Sequence, residues 1–253
     1  MKVAVRYPDF YLYNGKVPVV FRGSVSDWKV TEKIEDLPCF TEALPINRDN
    51  IAFRGNRSVT GTTVIGLVKR EKKFSTKLLD SVIVPLKGGD GIFDLDGIFL
   101  YDKQYRQLLY VHYYFNRIVS ADASGKVLFR SKTIDTVSKP KTVVKKVKNN
   151  TVIKMSITPP YVNRNATAAR GILYVDSALK GKYEDKKSWE IASTVDAYDL
   201  LNQGQYMYSF YIPTHNGSRM RDFLTANGKV IALYEDELIC YELDKKLKAF
   251  EKQ

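Results

Sequence analysis

Apolar and polar residues alternate with a period of two along most of this chain, and the 3.6-residue period of an amphipathic helix is almost absent. Phe10-Tyr11-Leu12-Tyr13 and Lys16-Val17-Pro18-Val19-Val20-Phe21 flank Asn14-Gly15, which predicts a hairpin because Asn-Gly tolerates the positive φ angles of a two-residue turn. Pro18 cannot donate to a ladder, so its strand is expected at an edge or with the proline turned from its neighbour. Ile98–Asp102, Gln107–Phe115, Arg117–Asp122 and Lys126–Arg130 read as four short strands separated by turns, an up-and-down meander. A similar unit runs through Val162–Ala168, Gly171–Val175, Thr194–Tyr198 and Gln205–Tyr211, with a charged insertion at Gly181–Lys187. Arg221–Thr225, Val230–Tyr234 and Glu237–Leu243 begin another, and Ile51–Arg54, Thr63–Val68 and Lys77–Val84 form a less regular one.

The outer hairpin recurs as DFYLYNGKVPVVF (9–21), IVSADASGKVLF (118–129) and VDAYDLLNQGQYMYSF (195–210). A four-stranded unit repeating every ~40–60 residues predicts the blades of a β-propeller, with a β-sandwich as the alternative. No WD dipeptide or Kelch glycine pair marks the units.

Asp196–Leu200 (DAYDL), Tyr206–Pro213 (YMYSFYIP), Met220–Phe223 (MRDF) and Val230–Tyr241 (VIALYEDELICY) resemble a Bacteroidetes-type family of TolB-like six-bladed propellers of unknown function. Phe21-Arg22-Gly23-Ser24 with Trp28, Ile134-Asp135-Thr136, and Pro159-Pro160 followed by Val162-Asn163 extend the resemblance over essentially the whole chain. It implies an exported, periplasmic or envelope-tethered protein and no known activity. The expectation is therefore an all-β protein, a propeller of four-stranded antiparallel blades, forming an incomplete six-bladed ring with four to five blades in this chain. One domain over 1–253 is expected. It would comprise a partial blade at 1–37, blades at about 38–84, 91–131 and 155–213, a partial blade at 219–243 and a charged tail at 244–253. On that count, further N-terminal blades would precede Met1.

Composition narrows the partners. Forty Lys and Arg against 28 Asp and Glu leave a net charge of +12, which favours acidic partners in general. Lys139, Lys141, Lys145, Lys146, Lys148 and Lys154 form a basic stretch without a stacking aromatic, so nucleic acid is not favoured. A solvated loop with a lysine-defended edge strand is the simpler reading. A second basic group is Lys69-Arg70-Glu71-Lys72-Lys73 with Lys77. No run approaches the ~18 apolar residues of a membrane helix, and Met1–Asp9 holds no apolar export segment, which leaves a cytoplasmic location open beside the envelope.

No catalytic set, metal site or cofactor is predicted. Cys39 and Cys240 alone cannot build a disulfide framework or a thiolate zinc site. His112, in a strand pattern, is expected to be half-buried or exposed, and His215 lies in a turn of a different unit. Asp90-Gly91 and Asp94-Leu95-Asp96-Gly97 look superficially like a calcium loop, but the twelfth position from Asp94 is Tyr105, so two turns are the simpler reading. Gly88-Gly89-Asp90-Gly91 lacks the Lys-Ser/Thr and helix of a phosphate loop. Asp96, Asp135, Glu190 and Asp222 are the carboxylates available for glycosidase chemistry, which would need two of them to meet. For binding, Asn163 and Arg164 on an inner strand, Arg221 and Asp222 at the equivalent place in the last unit, and Asp135 are the candidates. The expected function is a non-catalytic binding or scaffold protein taking a protein, peptide or glycan; the alternative is a hydrolase or lyase acting on an acidic saccharide.

Overall fold

The computed structural model describes every residue except 72, 73, 88, 148–151, 158, 245, 246 and 248–253, and leaves aside the side chains of 143, 145–147 and 152–154. The protein is an all-β propeller fold of antiparallel blades joined in chain order. The first blade holds β1 (Lys2–Arg6), β2 (Asp9–Asn14), β3 (Val17–Ser24) and β4 (Lys29–Ile34). The second holds β5 (Glu42–Pro45), β6 (Asn50–Asn56), β7 (Thr63–Arg70) and β8 (Phe74–Leu78). The third holds β9 (Gly97–Asp102), β10 (Gln107–His112), β11 (Ile118–Asp122) and β12 (Val127–Ser131). After a hairpin of β13 (Val143–Val147) and β14 (Val152–Ile157), the fourth blade holds β15 (Asn163–Ala169), β16 (Ile172–Ser177), β17 (Ala192–Asp199) and β18 (Gln205–Pro213). The fifth is three-stranded: β19 (Asp222–Ala226), β20 (Lys229–Leu233) and β21 (Leu238–Glu242). A one-turn helix, α1 (Lys186–Glu190), interrupts the β16–β17 connection. None of the described residues forms a helix long and apolar enough to cross a membrane.

Packing divides the chain into two compact units, Met1–Leu95 with Ser124–Lys126, and Asp96–Ala123 with Val127–Gln253. In the first, Tyr11, Tyr13, Val20 and Ile34 of the first blade meet Ala43, Ile51, Phe53 and Val68 of the second. In the second, the fourth blade is covered on both faces. Leu173, Val175 and Tyr198 pack with Leu109, Val111, Ile118 and Phe129 of the third blade. Ile172, Tyr174, Val195 and Ala197 pack with Phe223, Val230, Ala232 and Tyr234 of the fifth. This sandwiching explains why every residue of β16 is buried and why its sequence, ILYVDS, shows little alternation. The first strands follow suit: β15 packs against β9 on one side and β19 on the other. The β13–β14 hairpin therefore sits in the connection between adjacent blades and is not a blade of its own.

Four expectations change. A partial blade was expected over 1–37, but Lys2–Arg6 pairs with Asp9–Tyr13 and completes a four-stranded sheet. Its largely exposed KVAVR carries no buried run to announce a strand. The strand expected at Lys77–Val84 is Phe74–Leu78, because Leu79, Val82 and Ile83 are buried in the loop that follows. His112 is 0% exposed, its ring wedged 5.1 Å from Tyr110 and 4.3 Å from Phe115. Gly15 takes no positive φ; Asn14 Oδ1 accepts from the Lys16 and Val17 amides, and a Cβ on Gly15 would lie 2.6 Å from the Thr41 carbonyl. The left-handed Asn-Gly pairs are Asn216-Gly217, φ 48° and 77°, and Asn227-Gly228, φ 52° and 69°, the latter between β19 and β20. Of the basic stretches, Lys72, Lys73 and Lys148 lie outside the described residues, as do the side chains of Lys145, Lys146 and Lys154.

Candidate binding cleft

In the second unit a cavity of about 400 Å³ opens beside the fourth blade. Three segments line it: Ile134–Thr136 after β12, Ser177–Glu184 in the β16–β17 connection, and the outer strands β17 and β18. Strand register sets the polar wall. Asp196 pairs with Val175 on one side and Ser209 on the other, and Thr194 pairs with Ser177 and Tyr211. Residues directly across a strand pair lie on one face, so Asp196, Ser209, Thr194 and Tyr211 form a polar patch at the end of the apolar row Leu173, Val175 and Tyr198.

Hydrogen bonds hold the patch. Ser209 donates to Asp196, and its hydroxyl also meets Tyr206 Oη at 2.9 Å. Thr194 Oγ1 donates to Glu184 Oε1 (2.7 Å), whose other oxygen accepts from the Gly181 amide (2.8 Å). Lys180 Nζ donates to the carbonyls of Gly181 and Glu184, which folds the connection over the opening. Opposite, Asp135 accepts from Thr133 Oγ1 (3.3 Å), Asn116 donates to its carbonyl, and the Ile134 amide donates to Tyr198 Oη (3.1 Å).

Asp135, Glu184 and Asp196 line the cleft together with Lys180 and Lys182. Asp196 is 1% exposed. Burial pushes its carboxyl up to about 7; the Ser209 hydrogen bond opposes this, while the charges of Asp135, Glu184 and Asp176 reinforce it. Burial also raises Asp135, against the Thr133 hydrogen bond. Tyr211 is raised by burial and then by Glu184. Near pH 7 the Asp196 carboxyl can thus donate as well as accept.

Of the five residues singled out in the sequence, Asp135 alone lines this cleft. Asn163 is fully buried, and its amide donates to the carbonyls of His112 (2.7 Å) and Phe115 (3.3 Å), tying β15 to the end of β10. Arg164 makes a two-pronged pair with Asp176 (3.1 and 3.3 Å) and donates to the Ser177 carbonyl (2.7 Å). Even so, burial leaves the Asp176 carboxyl raised. Arg164 and Arg219 both stand over the Trp189 ring, at 5.7 and 4.5 Å. Arg221 and Asp222 sit exposed at the start of β19, as Asn163 and Arg164 sit at the start of β15, and the Arg221 carbonyl accepts from Asn165 (2.7 Å). The sequence reading missed Asp196, Glu184, Thr194, Ser209 and Tyr211. A usable signal was Thr194-Val195-Asp196-Ala197, where polar residues alternate inside a strand buried over almost its whole length. His215 pairs with Glu237, and no three His, Cys, Asp or Glu side chains converge on a metal position among the described residues.

No protein-family model matches the sequence, and no curated protein does. Among solved structures, the chain is similar to a DUF4221-family member from Bacteroides vulgatus, at TM-score 0.55 and 8% identity, over 92% of this chain and 74% of that one. It is also similar to hydrazine synthase from Kuenenia stuttgartiensis, at TM-score 0.50 and 11% identity, over 89% of this chain and 52% of that one. This chain thus spans about half the length of the hydrazine synthase chain. Identities this low carry the fold and nothing of the activity, and the fold they carry is the β-propeller, one with a neighbour in Bacteroides.

Proposed function

We propose that the protein is a binding protein of the TolB-like propeller class of the bacterial envelope, taking a small hydroxyl-rich ligand such as a neutral glycan in the cleft beside the fourth blade. The observation that carries this is the convergence of Asp135, Glu184, Thr194, Asp196, Ser209 and Tyr211 on one concave wall that also has the apolar side chains of Ile134 and Leu179. A mostly apolar concavity with a few convergent polar groups is the usual form of a small-molecule site. Lys180 and Lys182 share the lining with the acids, so the cleft carries no strong charge of one sign and suits a ligand bound through hydroxyl groups.

A hydrolase acting on a saccharide is the second reading, and one observation favours it: Asp196, held up to about 7, shares the cleft with Asp135. Glycoside hydrolysis works with a pair of carboxyl groups, one of them raised so that it can act as the acid.

A thermal-shift panel of neutral, acidic and cationic oligosaccharides and peptides tests both. A ligand at a hundredfold excess over Kd stabilises by about 2.7 kcal/mol, well within detection. The expected hit is a neutral glycan whose effect disappears in Tyr211→Ala and Thr194→Val. Release of shortened glycan from the incubated sample would replace the binding reading with the hydrolase, and hits confined to acidic ligands would remove the cleft from consideration.

A further inference from the structure

A second site lies apart from the cleft, in the loop that closes the first unit. Asp90 Oδ1 accepts from the amides of Ile92 (2.8 Å) and Phe93 (2.6 Å), with Asp94's amide at 3.4 Å. The loop is pinned to the β6–β7 hairpin: the Thr63 amide donates to the Gly91 carbonyl (2.9 Å), and Thr63 Oγ1 to the Ile92 carbonyl (3.1 Å). That pinning turns Asp94 inward, where it is 0% exposed.

Neither Asp94 oxygen has a hydrogen-bond partner of acceptable geometry, and Asp90 Oδ2 has none either. Asp94 lies close enough to Asp90 to feel its charge, and two such carboxyl groups cannot both stay ionised at low cost in a buried place. Burial and then Asp90's charge lift the Asp94 carboxyl to about 6; the Gly91 amide only partly opposes this. A Cβ on Gly89 would lie 1.8 Å from Asp94 Oδ2 and 3.2 Å from the Leu86 carbonyl oxygen, so the carboxylate packs directly on the glycine beside a carbonyl that accepts from the Gly89 amide (2.9 Å) and keeps a second lone pair. Gly89 itself is exposed, which offers a way in from solvent.

We propose that Asp90 and Asp94, with the Leu86 carbonyl beside them, bind a divalent cation, and that the all-oxygen donor set makes it calcium. Hard cations take carboxylate and carbonyl oxygens, whereas zinc selects the imidazole and thiolate donors that are missing from this loop. Calcium also tolerates an irregular shell in which water fills the remaining positions, whereas magnesium demands near-ideal octahedral geometry. With two carboxylates, the affinity belongs at the weak end, about 10⁻⁴–10⁻³ M, as in extracellular modules. The ladder strands contribute nothing to the donor set, and for that reason the EF-hand spacing misses it.

The experiment uses the full chain freed of metal with a chelator and titrated with calcium chloride, magnesium chloride serving as control, read by thermal melting and isothermal calorimetry. Asp90→Asn is the informative variant: its Oδ1 still caps the Ile92 and Phe93 amides, and only the unpartnered, charged oxygen is exchanged. The expected result is a rise in melting temperature of about 5–10 °C at a hundredfold excess of calcium over Kd, absent in Asp90→Asn and in Asp94→Asn. Wild-type protein giving neither heat nor a shift at about 10 mM calcium, ten times the weakest Kd expected, overturns the proposal and leaves the pair sharing a proton. An equal response in Asp90→Asn overturns the assignment to this loop, and an equal response to magnesium overturns the choice of calcium.

Discussion

Asp196 sits one residue from Val195 and Ala197, both fully buried, yet carries a group that water would ionise. Its folded carboxyl keeps a proton to about pH 7, whereas in the unfolded chain it loses it near 3.8. Because the native state binds the extra proton, this residue's contribution is complete below pH ~4, is lost as pH rises through the interval, and is gone above about 7. The interval amounts to about 4 kcal/mol, an upper bound because neighbouring carboxyl groups share the same field. Asp196→Asn keeps an oxygen to accept from Ser209 and cannot ionise. Urea denaturation at pH 4.5, 6 and 8 should show the variant matching wild type at the acidic end and exceeding it by roughly 2–3 kcal/mol at pH 8. Asp94, Asp135 and Asp176 are displaced in the same direction, so some slope persists in the variant. A wild-type slope left unaltered would mean that Asp196 is ionised throughout.

Each of the first two blades carries the same lock. Phe10 of β2 pairs with Gly23 of β3, and Phe53 of β6 pairs with Gly66 of β7, at the same spacing along the chain. A Cβ on Gly23 would meet the Phe10 ring at 2.4 Å and the Lys29 carbonyl at 2.2 Å; one on Gly66 would meet the Phe53 ring at 2.3 Å. The ring covers backbone that the glycine leaves bare, and the pair pins register. Gly23→Ala and Gly66→Ala should each cost about 1–3 kcal/mol by overpacking, measured by chemical denaturation. The loss should shrink when the partner phenylalanine becomes leucine, and a cost independent of that partner would assign it to the backbone clash alone. This repeat is present in the sequence as Phe and Gly at matched positions, but apolar alternation predicts the hairpin at Phe10–Phe21 without marking Gly23 as the partner of Phe10. Strands buried on one or both faces, such as β10 and β16, were legible because burial needs long apolar runs. Exposed β1 was not, nor were the cleft residues, which come from three segments joined only through the register of β17 and β18. Asp135 was found because it stood in a recognised motif, whereas Glu184 lies in a charged insertion that resembles any solvated loop.

Two compact units, each with its own hydrophobic contacts between blades, make strict all-or-none unfolding an unsafe expectation for the whole chain. Differential scanning calorimetry should resolve two components, with a calorimetric enthalpy above the van't Hoff value. Calcium should move the component belonging to residues 1–95, and a cleft ligand the other. One symmetric transition with equal enthalpies would show instead that the units unfold together. The protein also carries the means to follow its two units. Its two cysteines, Cys39 and Cys240, are free and exposed, and they fall one in each unit. A donor dye on one thiol and an acceptor on the other make the natural sequence its own spectroscopic ruler. Energy transfer between the two labels then follows the distance between the units, whichever thiol carries the donor, without a single engineered residue.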